Sequence, residues 1–246
     1  SVGYANYGTI TFNVSDCWNN PVVSGNSEAI GGFLGGFNSA SITIIVSNSI
    51  NNLNVTGRTG IGGLIGEIWS GRSLTVNVSN FINNGSVTGV NKYVGGFIGL
   101  ISSCSSQTII LSNVTNNINV FAKEQVGGVL GCIYIESNSN VLVSNFTNNA
   151  IVTGGENTGG FVGSMYNNAN SLTFSDVTNN ANVTGTRNVG GLFGYLECAS
   201  IDAKISNLIS YVNVTANVTV GGGIFGYAQS SKEMSIVILN SSNYGT

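Results

Sequence analysis

Val94-Gly-Gly-Phe-Ile-Gly99 and Val126-Gly-Gly-Val-Leu-Gly131 are copies of one element: a residue that is usually apolar, paired glycines, two apolar residues and a closing glycine. The element returns as Ile30-Gly-Gly-Phe-Leu-Gly35, Ile61-Gly-Gly-Leu-Ile-Gly66, Thr158-Gly-Gly-Phe-Val-Gly163, Val189-Gly-Gly-Leu-Phe-Gly194 and Gly221-Gly-Gly-Ile-Phe-Gly226. The first of the paired glycines stands at 31, 62, 95, 127, 159, 190 and 222, at intervals of 31, 33, 32, 32, 31 and 32. Self-similarity at such a period marks an array of stacked units. It predicts a single domain over 1–246, with a partial coil over 1–25 and repeats starting near 30, 61, 94, 126, 158, 189 and 221.

Two further elements follow in each unit. One is an alternating strand that ends in Ser-Asn or Ser-Asp and runs on to Asn-Asn, as in Val78-Ser-Asn-Phe-Ile-Asn-Asn84, Val143-Ser-Asn-Phe-Thr-Asn-Asn149 and Phe174-Ser-Asp-Val-Thr-Asn-Asn180. The other is a short strand and turn, as in Asn54-Val-Thr-Gly57, Ser86-Val-Thr-Gly89, Ile151-Val-Thr-Gly154 and Asn182-Val-Thr-Gly185. Short bursts rich in Val, Ile and Phe between Gly and Asn clusters read as buried strands. Three per unit predict an all-β chain, a parallel β-helix or β-solenoid whose coils have three sides. One coil cannot bury its apolar face alone. Strands stacked about 4.8 Å apart satisfy one another's backbone groups and merge their apolar faces into one core. Asn repeated at one coil position can form side-chain amide ladders, and its tolerance of left-handed backbone places the Asn-Asn pairs at corners.

The pattern resembles the GLUG-motif repeats of large cell-surface and adhesin-like proteins, on the strength of the seven Gly-Gly-apolar-apolar-Gly elements, which span nearly the whole chain. The resemblance implies a repetitive extracellular role in adhesion or surface architecture.

Composition narrows the function classes. Charged residues make up only 7% of the chain, against about 25% in ordinary soluble domains, so solubility rests on amides, hydroxyls and glycans. The net charge of −3 comes without a run of either sign, which leaves no electrostatic footprint for nucleic acid or an anionic membrane. Mean hydropathy is +0.26, yet no window approaches the roughly 18 apolar residues of a spanning helix. Ser1 in place of an initiator Met, with no visible signal peptide, reads as a mature or excised segment of a longer precursor.

Ten Asn-X-Ser/Thr sequons lie at Asn13, Asn54, Asn77, Asn84, Asn113, Asn145, Asn182, Asn213, Asn217 and Asn240. In a secretory compartment these are candidate N-glycosylation sites; in a bacterial surface protein they would be accidents of composition. Asn54, Asn182 and Asn213 share the position before Val-Thr and would set sugars in a line along one edge. Asn113 and Asn145 share the Ser-Asn position, where a repeated Asn can instead build an inward or corner ladder. The Val-Thr set is the preferred one.

Cys17, Cys104, Cys132 and Cys198 show no CxxC spacing, and the chain has no His to complete a zinc site. No metal or cofactor is expected. Cys104 and Cys132, in adjacent coils, are the pair considered for a disulfide. Catalysis on sugars needs two facing carboxylates, about 5 to 9.5 Å apart, and here the acids are scattered. Glu67, Glu136 and Glu197 follow the glycine element in separate coils, and Arg72 or Lys204 within reach of an acid reads as a solvated pair. Without His a Ser-His triad is excluded, and the glycine elements lack the Lys-Ser/Thr ending of a phosphate loop. The expected protein is not an enzyme.

The central apolar neighbours of each glycine element should point to opposite faces of a pleated strand. One stripe would line the core, leaving the other to be covered by the same coil or by another molecule. Trp18, Trp69 and the nine tyrosines do not read as recurring at one coil position, which weighs against a sugar-binding patch. Asn6-Tyr-Gly-Thr9 recurs as Asn243-Tyr-Gly-Thr246, and open solenoid ends stack on more of the same chain or on another copy. The expected partners are other copies of the chain, end to end or lateral, and N-linked glycans. The sequence reading is thus a structural module of a glycosylated extracellular filament or surface coat, with an adhesin stalk or carbohydrate-binding solenoid as the alternative.

Overall fold

A computed structural model describes residues 8–20, 22–103, 106–135, 139–167, 170–180 and 182–245. The chain is a parallel β-solenoid of about seven turns, and its strands form a 13-stranded sheet and two 7-stranded sheets among the described residues. Every pairing is parallel and joins residues about one repeat apart, as in Thr56 opposite Thr88 and Val126 opposite Thr158.

Each sheet collects one sequence element. Strands such as Lys92–Gly95 and Glu124–Gly127, which end on the first paired glycine, build one 7-stranded sheet, and Val-Thr strands such as Val55–Gly57 and Val87–Gly89 build the other. The 13-stranded sheet holds the long run from the second apolar residue to the first Asn of the Asn-Asn pair. That run is continuous in Leu34–Asn51, Ile65–Asn83 and Phe193–Ser210, and divided in coils such as Ile98–Ser103 and Gln107–Asn116.

The glycine element is a corner rather than a strand centre, and this corrects the two-stripe expectation. Gly63 and Leu64 form a bend between the strands Thr59–Gly62 and Ile65–Asn83. Across a bend the pleat no longer alternates, so both apolar neighbours enter the same core. Leu64 and Ile65, Phe97 and Ile98, Val129 and Leu130, and Leu192 and Phe193 all belong to one continuous cluster. The solenoid covers both stripes itself. Aromatic rings interlock within that core: Phe81 meets Phe97 edge-on at 5.0 Å, and Phe161 lies 4.8 Å from Phe146 and 4.9 Å from Phe174. A smaller apolar column of Val55, Val87, Val120, Val152 and Val183, with Ile61, Val94 and Val126, fills the angle between the two shorter sheets.

The Asn-Asn pairs form two amide ladders. The first Asn of each pair points inward, and Asn51, Asn83, Asn116, Asn148 and Asn179 are completely buried. Each donates Nδ2 to the Oδ1 of the next, from Asn19 to Asn51 (3.0 Å), Asn83 (2.8 Å), Asn116 (2.9 Å), Asn148 (3.2 Å) and Asn179 (2.9 Å). Burial without such partners would cost about 1–3 kcal/mol per group. The same amides clamp the glycine corner: Asn19, Asn148 and Asn179 also donate to the carbonyls of Gly32 (2.6 Å), Gly160 (3.2 Å) and Gly191 (2.5 Å). This close approach explains the second glycine, because a Cβ on Gly96 would strike the Gly128 carbonyl and the Asn116 side chain. The second Asn of each pair runs an outer ladder in the opposite sense, in which Asn180 donates to Asn149, Asn149 to Asn117, and Asn117 to Asn84.

Left-handed backbone falls elsewhere than expected. The Ser-Asn position, not the Asn-Asn pair, holds positive φ: 47° at Asn48, 51° at Asn80, 52° at Asn113, 50° at Asn145, 56° at Asp176 and 53° at Asn207. Asn and Asp adopt this region at small cost because their side chains bond locally. The kink turns the side chain outward, where Asn113 donates to Asn80 (3.1 Å) and Asn80 to Asn48 (2.9 Å).

Candidate functional site

A second left-handed column runs through the glycine-side strands, at Ala29, Gly60, Tyr93, Gln125, Asn157 and Asn188. In this conformation Tyr93 and Gln125 reach the outer surface of the first half of the long strands, where an aromatic spine is built. Tyr134 and Tyr166 are in register, and their rings stack in parallel at 4.5 Å. Tyr93 closes on Tyr134 edge-on at 6.4 Å, and Tyr195 and Tyr227, again in register, stack at 5.4 Å. Between the two pairs the spine changes column. The residue opposite Tyr166 is Glu197, while Tyr195 lies opposite Ser164, two positions back on the same face. The Tyr166 and Tyr195 rings are accordingly tilted by 44° at 5.5 Å.

Polar side chains line the spine because strand periodicity puts i and i+2 on one face. Trp69 Nε1 donates to Glu67 Oε2 (3.0 Å), Tyr195 OH to Glu197 Oε2 (2.9 Å), and Tyr227 OH to Gln229 Oε1 (3.1 Å). Gln229 Nε2 donates back to the Tyr195 oxygen (3.0 Å), and Gln125 Nε2 to that of Tyr166 (3.5 Å). Burial is the largest influence on each shifted group. It pushes the Tyr134 and Tyr166 phenols up to about 12, with neighbouring tyrosines and Cys132 acting the same way. The Glu67 carboxyl is raised, chiefly by burial, against the lowering effect of the Trp69 hydrogen bond. The Cys132 thiol is raised far above its usual value by the same desolvation. The Tyr134 and Tyr166 phenols and the Cys132 thiol therefore stay protonated across the neutral range.

Beside the column change lies an open groove of about 470 Å³, lined by Tyr166, Glu197, Cys198, Ala199, Gln229, Ser230 and Ser231. It sits on a bulge where the pairing shifts from Cys198 opposite Ser230 to Ser200 opposite Glu233.

The spine was missed because its rings occupy different coil columns and one comes from the glycine side. Yet Tyr134 with Tyr166, and Tyr195 with Tyr227, do share positions. The 32-residue offset between the latter two was the legible signal.

The sequons fall into distinct environments. Asn13, Asn54, Asn113, Asn145, Asn182, Asn213, Asn217 and Asn240 are exposed, whereas Asn77 and Asn84 are half-buried. N-glycosylation consumes the amide nitrogen. That nitrogen is engaged in a ladder at Asn84, which donates to Asn52 (3.1 Å), and at Asn113. At Asn54 and Asn182 it is the oxygen that is held, by the backbone N–H of Ser86 (3.1 Å) and of Asn213 (3.2 Å).

The other candidate residues are dispersed. Glu67 and Glu197 belong to different ends of the spine, and Glu136 lies outside the described residues. Glu156 pairs with Arg187 at 3.3 Å on the surface, both about half exposed. Cys17 is exposed, Cys132 and Cys198 are buried free thiols, and the disulfide considered for Cys132 involves Cys104, outside the described residues. Among the described residues no helix is long and apolar enough to cross a membrane.

Fold and site define a β-solenoid with an internal amide ladder and an external aromatic spine. Compared with protein-family models, curated proteins and solved structures, the chain matches none.

Proposed function

We propose that the chain is a structural module of an extracellular, N-glycosylated filament or surface coat, with stacking of coils as its working feature. The observation that carries this reading is the buried amide ladder, which runs with one polarity from Asn19 to Asn179. A coil in this ladder is complete only between two others. The strand Phe225–Leu239 pairs with Phe193–Ser210, and Val237, Ile238 and Leu239 on it are exposed, an edge that a further parallel coil would cover. The GLUG-like elements support a surface location, and the exposed Asn54 and Asn182 support glycans along the Val-Thr edge. Intact mass of the natively isolated protein, before and after glycosidase, tests the glycan half of the reading. Loss of mass traced to Asn54 and Asn182 is expected, and an unchanged mass overturns it.

The second reading, a carbohydrate-binding or adhesin solenoid, is favoured by one observation. Partly exposed aromatic rings with a carboxylate and amides beside them are the side chains that recognise hydroxyl-rich ligands.

A further inference from the structure

We infer that the groove between Tyr166 and Glu197 binds a neutral saccharide, with Tyr166 as its floor and Glu197 and Gln229 as its hydrogen-bonding walls. The inference rests on the carbohydrate-binding reading and gives that reading a location.

Three features meet there. First, the spine is interrupted at this point. Tyr134 is followed in register by Tyr166, and Tyr195 by Tyr227, but Tyr166 has Tyr134 stacked on one face and Glu197 as its in-register neighbour on the other. The displaced, tilted Tyr195 leaves part of that second face to the groove. An aromatic face offers C–H-rich sugar rings an apolar platform that excludes water.

Second, the polar atoms are held in place by the protein yet retain capacity. Glu197 accepts the Tyr195 hydroxyl at Oε2, which fixes the carboxylate and leaves Oε1 for a ligand hydroxyl. Gln229 is oriented by Tyr227 and Tyr195 (3.1 and 3.0 Å), and a primary amide carries a second N–H beyond the one it gives Tyr195.

Third, the bulge makes the space. Pairing of Ser200 with Glu233 sets Ser231 and Lys232 together opposite Ala199, one residue in surplus, and Ser230 Oγ is tied to the carbonyls of Ala199 (2.9 Å) and Glu233 (3.0 Å). Bulges of this kind re-aim side chains beside binding sites. The groove volume of about 470 Å³ falls within the span usual for small-ligand clefts, about 300–1,000 Å³.

The chemistry sets the ligand class. The lining residues include a carboxylate and no Lys or Arg, so uronic acids, sialic acids and phosphates meet a like charge. Neutral hexose hydroxyls instead gain a charge-assisted hydrogen bond.

The test is calorimetric titration of the whole chain with cellotetraose and maltotetraose as neutral probes and tetragalacturonate as the acidic one. Binding of a neutral probe is expected, without binding of the acid. Glu197→Ala should weaken it about tenfold or more, as loss of a hydrogen bond to a charged group implies, and Tyr166→Ala should weaken it clearly through loss of the aromatic platform, whereas Tyr166→Phe should stay within about twofold. Circular dichroism of each variant separates lost binding from lost fold, and Tyr166→Phe keeps the floor ring in place should Tyr166→Ala unfold. Binding that survives Glu197→Ala in a folded protein overturns the groove but not the carbohydrate reading. Absence of binding to either neutral probe at millimolar concentration, or equal binding of the acidic one, overturns the groove; the former also removes the support for that reading.

Discussion

Asn148 donates its side-chain amide to Asn179 Oδ1 across 2.9 Å, and both side chains are completely buried. This contact is one rung of a ladder that joins consecutive coils, and the same amide, through the Gly160 carbonyl, fastens the Asn corner to the glycine corner that follows it. Asn148→Ala should strand the Asn116 amide nitrogen and the Asn179 oxygen. A loss of about 3 kcal/mol is expected, from these orphaned ladder groups together with the lost bonds to the Gly160 carbonyl and the Ala150 N–H. Asn149→Ala, on the exposed ladder one residue on, should cost about 0.5 kcal/mol. Urea denaturation of the two variants measures the contrast, and equal losses would show that burial does not set the value of a rung.

The ladder has one gap. Ser210 stands where other coils carry the inward Asn, in register with Asn179 and Asn243, and its Oγ is buried without a partner. Ser210→Asn should extend the ladder and raise stability by about 1 kcal/mol, the net worth of a protein hydrogen bond. The gain would appear as a higher urea midpoint at unchanged slope.

Asn113 sits at φ 52° on the surface kink. Asn113→Gly should leave stability within about 0.5 kcal/mol, since glycine enters the left-handed region freely. Asn113→Val should cost about 2 kcal/mol, because a β-branched residue there is strained. Thermal unfolding of the pair distinguishes backbone strain from loss of the Asn80 hydrogen bond, which both variants lose.

Glu67 gives the solenoid a pH dependence of definite sign. Its carboxyl is raised above the ordinary carboxylate range, chiefly by desolvation, with Trp69 opposing the effect and Glu28 adding to it. The folded state thus holds this proton more tightly than the unfolded one. Its contribution to stability is fully present below the unfolded pKa and is lost as pH rises through the folded value. Glu67→Gln should have a higher urea midpoint than the parent at neutral pH. The difference should vanish as the pH falls into the ordinary carboxylate range; a difference independent of pH would contradict the assignment.

The period, the three strand elements of a coil and the stacking ladders were legible in the sequence because each is a one-dimensional repeat. What was not legible depends on where the backbone bends. Leu64 and Ile65 were expected to part across a pleat, yet both reach the core because Gly63 and Leu64 form a corner. The left-handed residue was expected in the Asn-Asn pair and lies at Ser-Asn, a choice between two Asn-rich positions that composition does not make. Tyr166 and Tyr195 come together across a shift of two residues, which no alignment of coil positions by sequence would bring side by side.

The most direct test of the structural account is electron cryo-microscopy of the natively isolated protein. The account predicts filaments of constant width with a strand spacing of about 4.8 Å along the axis, the coils of one copy continuing those of the next. A field of separate rods, each the length of one chain at every concentration, would contradict it.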